Sequence, residues 1–217
     1  MDTQLEVKQG NAVLRFFSKA ISYVLHPLFI PTYIFVWLIL RFPYEFTIAN
    51  ERFLKLRIVT VFWTSAFFPA FTVFLLWRLK VISGIYLRYQ KDRIIPYIAT
   101  MFFYWWLWYL SRNFTDQPVI IKSFFFGIFV STILGLIINN FIKISMHAMG
   151  VGGAWVFMIL VSFHYSTYLG LDTSIATILT GLVCSARLTL SEHSAKEIYS
   201  GFIVGVLCQL LAYYVSM

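Results

Sequence analysis

The chain has 217 residues, of which 60% are hydrophobic, 20% aromatic and only 12% charged. A soluble domain carries about 25% charged residues, so this composition excludes an ordinary soluble protein. The net charge of +8 does not indicate nucleic-acid binding here, because the basic residues stand in short segments beside apolar runs, as in membrane proteins. The runs are too long and too unalternating for barrel strands. The predicted fold class is therefore all-α, a polytopic transmembrane helical bundle.

The first predicted element is an amphipathic helix over residues 12–24, within an N-terminal segment, 1–25, that we expect at the membrane surface. Arg15 and Lys19 stand four residues apart on its polar side. Apolar runs then predict about six to seven spans. In chain order they cover residues 27–40, 58–77, 97–110, 119–138, 148–163, 173–185 and 198–215. No internal repeat marks a second domain, so residues 1–217 are interpreted as one membrane-embedded domain.

Three of the polar segments between these spans carry the candidate functional residues: RYQKDRIIP (88–96), KISMH (143–147) and ARLTLSEH (186–193). An even number of spans lies between one segment and the next, so all three are predicted at one face, together with the N-terminus. This face holds eleven of the seventeen Lys and Arg residues. The positive-inside rule therefore predicts that the segments lie on the cytoplasmic face of an integral membrane protein of bacterial inner-membrane type.

The acidic residues exclude several classes of membrane enzyme. The nine Asp and Glu residues form no DxxxD motif, although magnesium-dependent prenyl and alcohol phosphotransferases need clustered carboxylates. HExxH, P-loop and GxSxG motifs are missing from the sequence as well. The residue types that remain as candidates for a chemical role are histidine and arginine. Glu197 follows His193 by one helical turn, where it can accept from one ring nitrogen and leave the other free. Arg187, six residues before His193, has the planar donors that suit a phosphoryl group.

The three segments resemble, in order and placement, the three motifs of the type-2 phosphatidic acid phosphatases, across residues 88–205. Arg187, His193 and Glu197 match the pattern S-R-x5-H-x3-D, with Ala186 in place of serine and glutamate in place of aspartate. The sequence Ser-Met-His at 145–147 is similar to P-S-G-H, and 88–96 is similar to K-x6-R-P. Arg88 stands in the lysine position. Ile95 stands where arginine is expected, and Arg93 is the nearest substitute.

The resemblance implies a metal-independent lipid phosphatase that needs no cofactor. His193 would form a phosphohistidine, Glu197 would orient it, and His147 would protonate the leaving alkoxide and later activate water. The predicted phosphate-binding residues are Arg88, Arg93, Arg187, Ser145 and Lys143. The implied substrate is a membrane lipid carrying a phosphomonoester or pyrophosphate, such as phosphatidic acid, a phosphatidylglycerophosphate-like lipid or undecaprenyl pyrophosphate.

A non-catalytic reading stays open, in which a degenerate site binds or transports an anionic lipid. Transport needs polar groups along a path through the membrane midplane, and the middles of these spans hold few. Outside the motifs, His26 is interpreted as a structural or interfacial residue, and so is His164, which is expected on the opposite face. Asn139 and Asn140 are interpreted as caps of a span end, with a place in the lining of the pocket as the alternative. Glu192 and Lys196 have no assigned role and are expected to face water.

Overall fold

The computed structural model describes residues 12–46, 50–87, 89–114 and 117–217, and over these residues it is helical without strands. Eight helices follow one another, and we number them α1 to α8. They are α1 (Ala12–Val24), α2 (Ile30–Arg41), α3 (Glu51–Arg78), α4 (Ile94–Asn113), α5 (Val119–Asn139), α6 (Met146–His164), α7 (Gly170–Thr189) and α8 (Ala195–Ser216). The predicted all-α fold class is confirmed.

Within the part of the chain that the structure describes, five helices are long and apolar enough to cross a membrane: α3, α5, α6, α7 and α8. The helix α2 is apolar but has only 12 residues, and α4 has 20 residues with many Trp and Tyr, whose polar atoms lower its hydropathy. Each of the seven predicted spans coincides with one helix. The sixth is longer than predicted, because α7 continues on both sides of residues 173–185.

The long helix α3 contains one π-helical turn, Trp63–Phe67. Its cause is local: Pro69 has no N–H, so the α-helical hydrogen bond to Ser65 cannot form, and the ladder widens by one residue before the proline. With 28 residues, α3 is about 42 Å long, against a hydrocarbon core of about 30 Å. The helix must therefore tilt or extend beyond the core.

The interior of the bundle is built around α8, which packs most extensively against α6 and α5. Glycine residues permit the closest approach between the backbones of α6 and α8. A Cβ added at Gly205 would lie 2.0 Å from the carbonyl oxygen of Met149, and one at Gly201 would lie 2.5 Å from that of Ser145. On the α6 side, a Cβ at Gly152 would lie 2.7 Å from the carbonyl oxygen of Phe202. Small residues at matched positions are the usual basis of helix packing in membranes, and here they bring the first turns of α6 and α8 together.

The N-terminal helix α1 has the predicted bounds and packs along α7. Its buried residues are Ser18 and Ser22, whereas Phe16 and Phe17 are exposed. The polar and small face of α1 therefore lies against the protein and its aromatic face is available to lipid. The contact places the end of α1 beside the ends of α7 and α6 that carry the predicted motifs.

Candidate active site

The first motif segment is joined to the second by Arg93, which ends a short 3₁₀ turn (Lys91–Arg93) before α4. The Arg93 side chain donates from Nε to the carbonyl oxygen of Leu87 at 2.9 Å and from Nη1 to that of Ile144 at 3.1 Å. Arg93 is 7% exposed and Ile95 is 44% exposed. The arginine thus turns toward the site while the isoleucine turns away. Arg88, the other predicted phosphate ligand of this segment, lies outside the described residues.

A second connection fastens the same segment to the end of α5. The Asn139 side chain donates from Nδ2 to the carbonyl oxygen of Gln90 at 3.1 Å, and the Gln90 side chain donates to the Asn139 carbonyl oxygen. Asn139 is fully buried. The interpretation of Asn139 as a cap is therefore incomplete, because its amide bridges two segments that are distant in sequence.

The second motif begins α6. The Ser145 hydroxyl accepts from the backbone N–H of Ala148 at 3.4 Å and caps the helix, while the Ser145 backbone N–H donates to the Glu197 carbonyl oxygen at 3.2 Å. His147 lies within the first turn, with Nε2 3.1 Å from the carbonyl oxygen of Ser22. A carbonyl only accepts, so Nε2 carries the proton and Nδ1 holds the lone pair of the neutral ring.

The third motif forms a tight turn between α7 and α8, in which Ser191 has a positive φ of 53°. His193 Nδ1 lies 2.7 Å from Glu197 Oε2. The same carboxylate oxygen accepts from the Ser194 N–H at 3.3 Å, in a capping box that starts α8. Because a carboxylate only accepts, Nδ1 of His193 carries the proton and Nε2 is left with a lone pair. The predicted His193–Glu197 pair is present.

Arg187 and Lys143 lie beside this turn. The buried Arg187 guanidinium forms an ion pair with Glu192 through Nη2, and Lys143 Nζ donates to the Glu192 carbonyl oxygen at 3.1 Å. The Nε of Arg187 is buried without a hydrogen-bond partner among the described residues, so it is a donor that a phosphate oxygen can satisfy. Glu192 is exposed, as expected for a residue that faces water, and it also neutralises Arg187 across the turn.

His26 lies beside the second motif, although the sequence places it outside all three motifs. Its ring lies edge-to-face against that of His147, with centroids 4.9 Å apart. This contact is compatible with the predicted structural role and adds a neighbour that the sequence did not indicate. His164 agrees with its expected placement: it ends α6 at the other end of the bundle, 3.4 Å from the Tyr213 hydroxyl.

Two histidines are held neutral: His193, in the turn between α7 and α8, and His26, in the connection between α1 and α2. Burial lowers the pKa of His193 to about 4, the hydrogen bond to Glu197 opposes this shift, and the charges of Arg93 and Arg187 add to it. Burial, with Arg187 nearby, also lowers the pKa of His26 to about 4. Burial lowers the pKa of Arg93 and of Lys143 as well. A neutral His193 at pH 7 is the form that can act as a nucleophile.

We expect His193 to stay neutral when the pH falls from 7.5 to 5, because its pKa is about 4 instead of the usual value of about 6.5. Nitrogen NMR of histidine-labelled protein in micelles, with the signals assigned by H193Q, measures this directly. The unfolded chain takes up a proton near pH 6.5 that the folded chain does not take up until about pH 4. Stability therefore falls as the pH falls through that window. A His193 midpoint near 6.5 would contradict the burial described above.

Among the residues described, no group of three or more His, Cys, Asp or Glu side chains is arranged to hold a metal ion. The site thus consists of cations, histidines and two carboxylates from four parts of the chain. Comparison with protein-family models, curated proteins and solved structures gives no match.

Proposed function

We propose that this protein is an integral membrane phosphatase that removes a phosphoryl group from a lipid phosphomonoester or pyrophosphate. The observation that carries the proposal is the meeting of His193, paired with Glu197, with the cations Arg93, Arg187 and Lys143 at one end of an apolar helical bundle. A neutral imidazole beside several cations is suited to attack on an anionic phosphorus centre.

The reaction follows from the atoms available. Nε2 of His193 attacks phosphorus, and the bond from phosphorus to the ester oxygen breaks as the new P–N bond forms. The neutral His147 ring first takes up a proton from solvent at Nδ1 and then gives this proton to the leaving oxygen. In the second half, His147 takes a proton from water, the water oxygen bonds to phosphorus, and the P–N bond breaks to release phosphate and restore His193.

The cations stabilise the charge that spreads over the non-bridging oxygens during both transfers. Arg187 is paired with Glu192 in this structure, so binding of phosphate requires this carboxylate to share or release the guanidinium. Arg88, which precedes this cluster in the first motif, is proposed as a further phosphate ligand.

The proposal includes a membrane arrangement. We propose that α2 and α4 cross the membrane together with α3, α5, α6, α7 and α8, giving seven spans, and that the site faces the cytoplasm from a bacterial-type inner membrane. The excess of basic residues at this end supports the orientation. A cytoplasmic site fits a phosphatase of lipid biosynthesis, and a site on the other face would fit recycling of undecaprenyl pyrophosphate.

A panel of phosphorylated lipids tests the function. Purified protein in mixed micelles is expected to release phosphate from at least one of phosphatidic acid, phosphatidylglycerophosphate and undecaprenyl pyrophosphate. Saturable binding of these lipids without phosphate release would instead support the non-catalytic lipid-binding alternative.

Because histidine and arginine carry the proposed chemistry, we expect EDTA to leave the rate of phosphate release unchanged within about twofold. The measurement compares initial rates before and after chelation and dialysis, with a magnesium-dependent phosphatase treated in parallel as the control. A loss that is restored by added Mg²⁺ or Mn²⁺ would place the protein in a metal-dependent class.

A further inference from the structure

The connection between α1 and α2 brings a third histidine to the proposed site. His26 follows α1 and stands immediately before Pro27. Its Nδ1 accepts from the backbone N–H of Leu28 at 3.3 Å, so Nδ1 holds a lone pair and the neutral ring carries its proton on Nε2. The ring planes of His26 and His147 are inclined at 81°, with centroids 4.9 Å apart, in the edge-to-face arrangement that aromatic rings prefer.

The last turns of α1, just before this connection, hold His147 a second time. The carbonyl oxygen of Ser22 lies 3.1 Å from Nε2 of His147, and Ser22 precedes His26 by four residues. The contact with Ser22 therefore fixes which nitrogen of His147 carries the proton, and the contact with His26 fixes the plane of the ring. Together they leave Nδ1 as the nitrogen that can exchange a proton with a substrate.

We propose that His26 is a positioning residue for His147, which holds that ring so that Nδ1 can serve the leaving oxygen and then the attacking water. This inference rests on the phosphatase activity proposed above. His26 touches His147 and is not required to touch the substrate. The proton on Nε2 of His147 stays with Ser22 throughout, while the proton on Nδ1 is given to the leaving oxygen and regained from water.

The charges around His147 explain why a neutral aromatic ring suits this position. His147 is under the electrostatic influence of Arg187 from α7, His193 from the turn after α7, and His26 from the segment before α2. Arg187 is a permanent cation, so another positive charge beside His147 would disfavour the imidazolium that protonates the leaving oxygen. An uncharged His26 supports the ring without adding to this repulsion.

Three substitutions separate the possible roles of His26. H26A removes the ring, H26F keeps a ring without nitrogen atoms, and H26K places a cation beside His147. Each is assayed for kcat and KM on phosphatidic acid, whose alkoxide leaving group needs a proton, and on p-nitrophenyl phosphate, whose phenolate leaving group needs none. His164, at the other end of the bundle, provides the matched control H164A.

We expect H26A to lower kcat on phosphatidic acid about tenfold or more, within the range of general acid catalysis, with a smaller loss on p-nitrophenyl phosphate and little change in KM. H26F is expected to restore most of the loss. H26K is expected to move the alkaline limb of the kcat profile to lower pH by about one unit, since a nearby cation lowers the pKa of His147. H164A is expected to behave as wild type.

Two results would overturn the inference: H26A with wild-type kcat on both substrates, or an equal loss on both with no change in the pH profile. Wild-type protein that releases no phosphate from any substrate would instead reject the proposed function. In that case nitrogen NMR still tests the positioning: without the His26 ring the His147 ring can turn away from the Ser22 carbonyl, so the Nε2-protonated tautomer of His147, which should dominate in wild type, should lose population in H26A. An unchanged tautomer in H26A would overturn it.

Discussion

Replacement of His193 by glutamine is expected to lower phosphate release by about a thousandfold or more, the scale seen when a covalent nucleophile is removed. Glutamine has no imidazole nitrogen to form the P–N bond, and the cations that remain can bind phosphate but cannot transfer it. KM is expected to change little, because the phosphate ligands stay in place. The rate is measured on purified protein in mixed micelles with the lipid that the panel identifies.

Trapping of the phosphohistidine intermediate tests whether His193 itself carries the phosphoryl group. Wild-type protein quenched during turnover of ³²P-labelled substrate should carry an acid-labile, base-stable phosphoryl group, and H193Q should carry none. H164Q is the matched control, because His164 lies at the other end of the bundle beside Tyr213. Retention of activity in H193Q, or a phosphoryl group on another residue, would reject the role given to His193.

The hydropathy of the sequence was enough to predict the helices, since lipid leaves the backbone few alternatives to helix. The limits of α7 were less well predicted. At its start, residues 170–172 lay outside the predicted span because Asp172 resembles a solvated charge, although its carboxylate accepts from Trp37 and Arg41. At its end, Arg187 resembles a solvated charge, although it is buried and paired with Glu192.

The local part of the site could also be predicted. His193 and Glu197 are one helical turn apart, so their contact depends only on the start of α8. The sequence also held a signal, which was missed, that Arg93 faces the site and Ile95 does not. Buried residues recur with helical spacing from Arg93, just before α4, to Tyr97, Thr100 and Tyr104 within it. That stripe assigns Arg93 to the inner face and Ile95 to the outer face.

The contacts between distant segments could not be predicted in the same way. The pairing of Arg187 with Glu192 depends on the positive φ of Ser191, and a charged residue within a loop gives no sign of its partner. His26 had an indirect signal, because the span count places it at the same end as His147 and His193. Nothing in the sequence indicates that its ring meets that of His147, since this contact depends on how α1 packs along α7.

The approach of α6 to α8 gives the second large expected effect. A Cβ at position 205 would lie 2.0 Å from the Met149 carbonyl oxygen and 3.0 Å from the Gly153 nitrogen. Both neighbours are backbone atoms, so relief requires the helices to separate. We expect G205A to lower the stability by about 3 kcal/mol, an overpacking cost, and the unfolding midpoint by about 6–12 °C. The measurement is thermal unfolding in detergent, followed by a thiol-reactive dye on the native Cys184 and Cys208.

G181A is the matched control for this substitution, because a Cβ at Gly181 meets nothing within 4 Å and alanine favours the helix. Its midpoint should equal or slightly exceed that of wild type. G205A should also lose phosphate release below its unfolding midpoint, since α6 carries His147 and α8 begins with the turn that holds His193. A G205A protein with wild-type stability and activity would show that the two helices do not need this contact. The proximity of His147 and His193 would then require another physical cause.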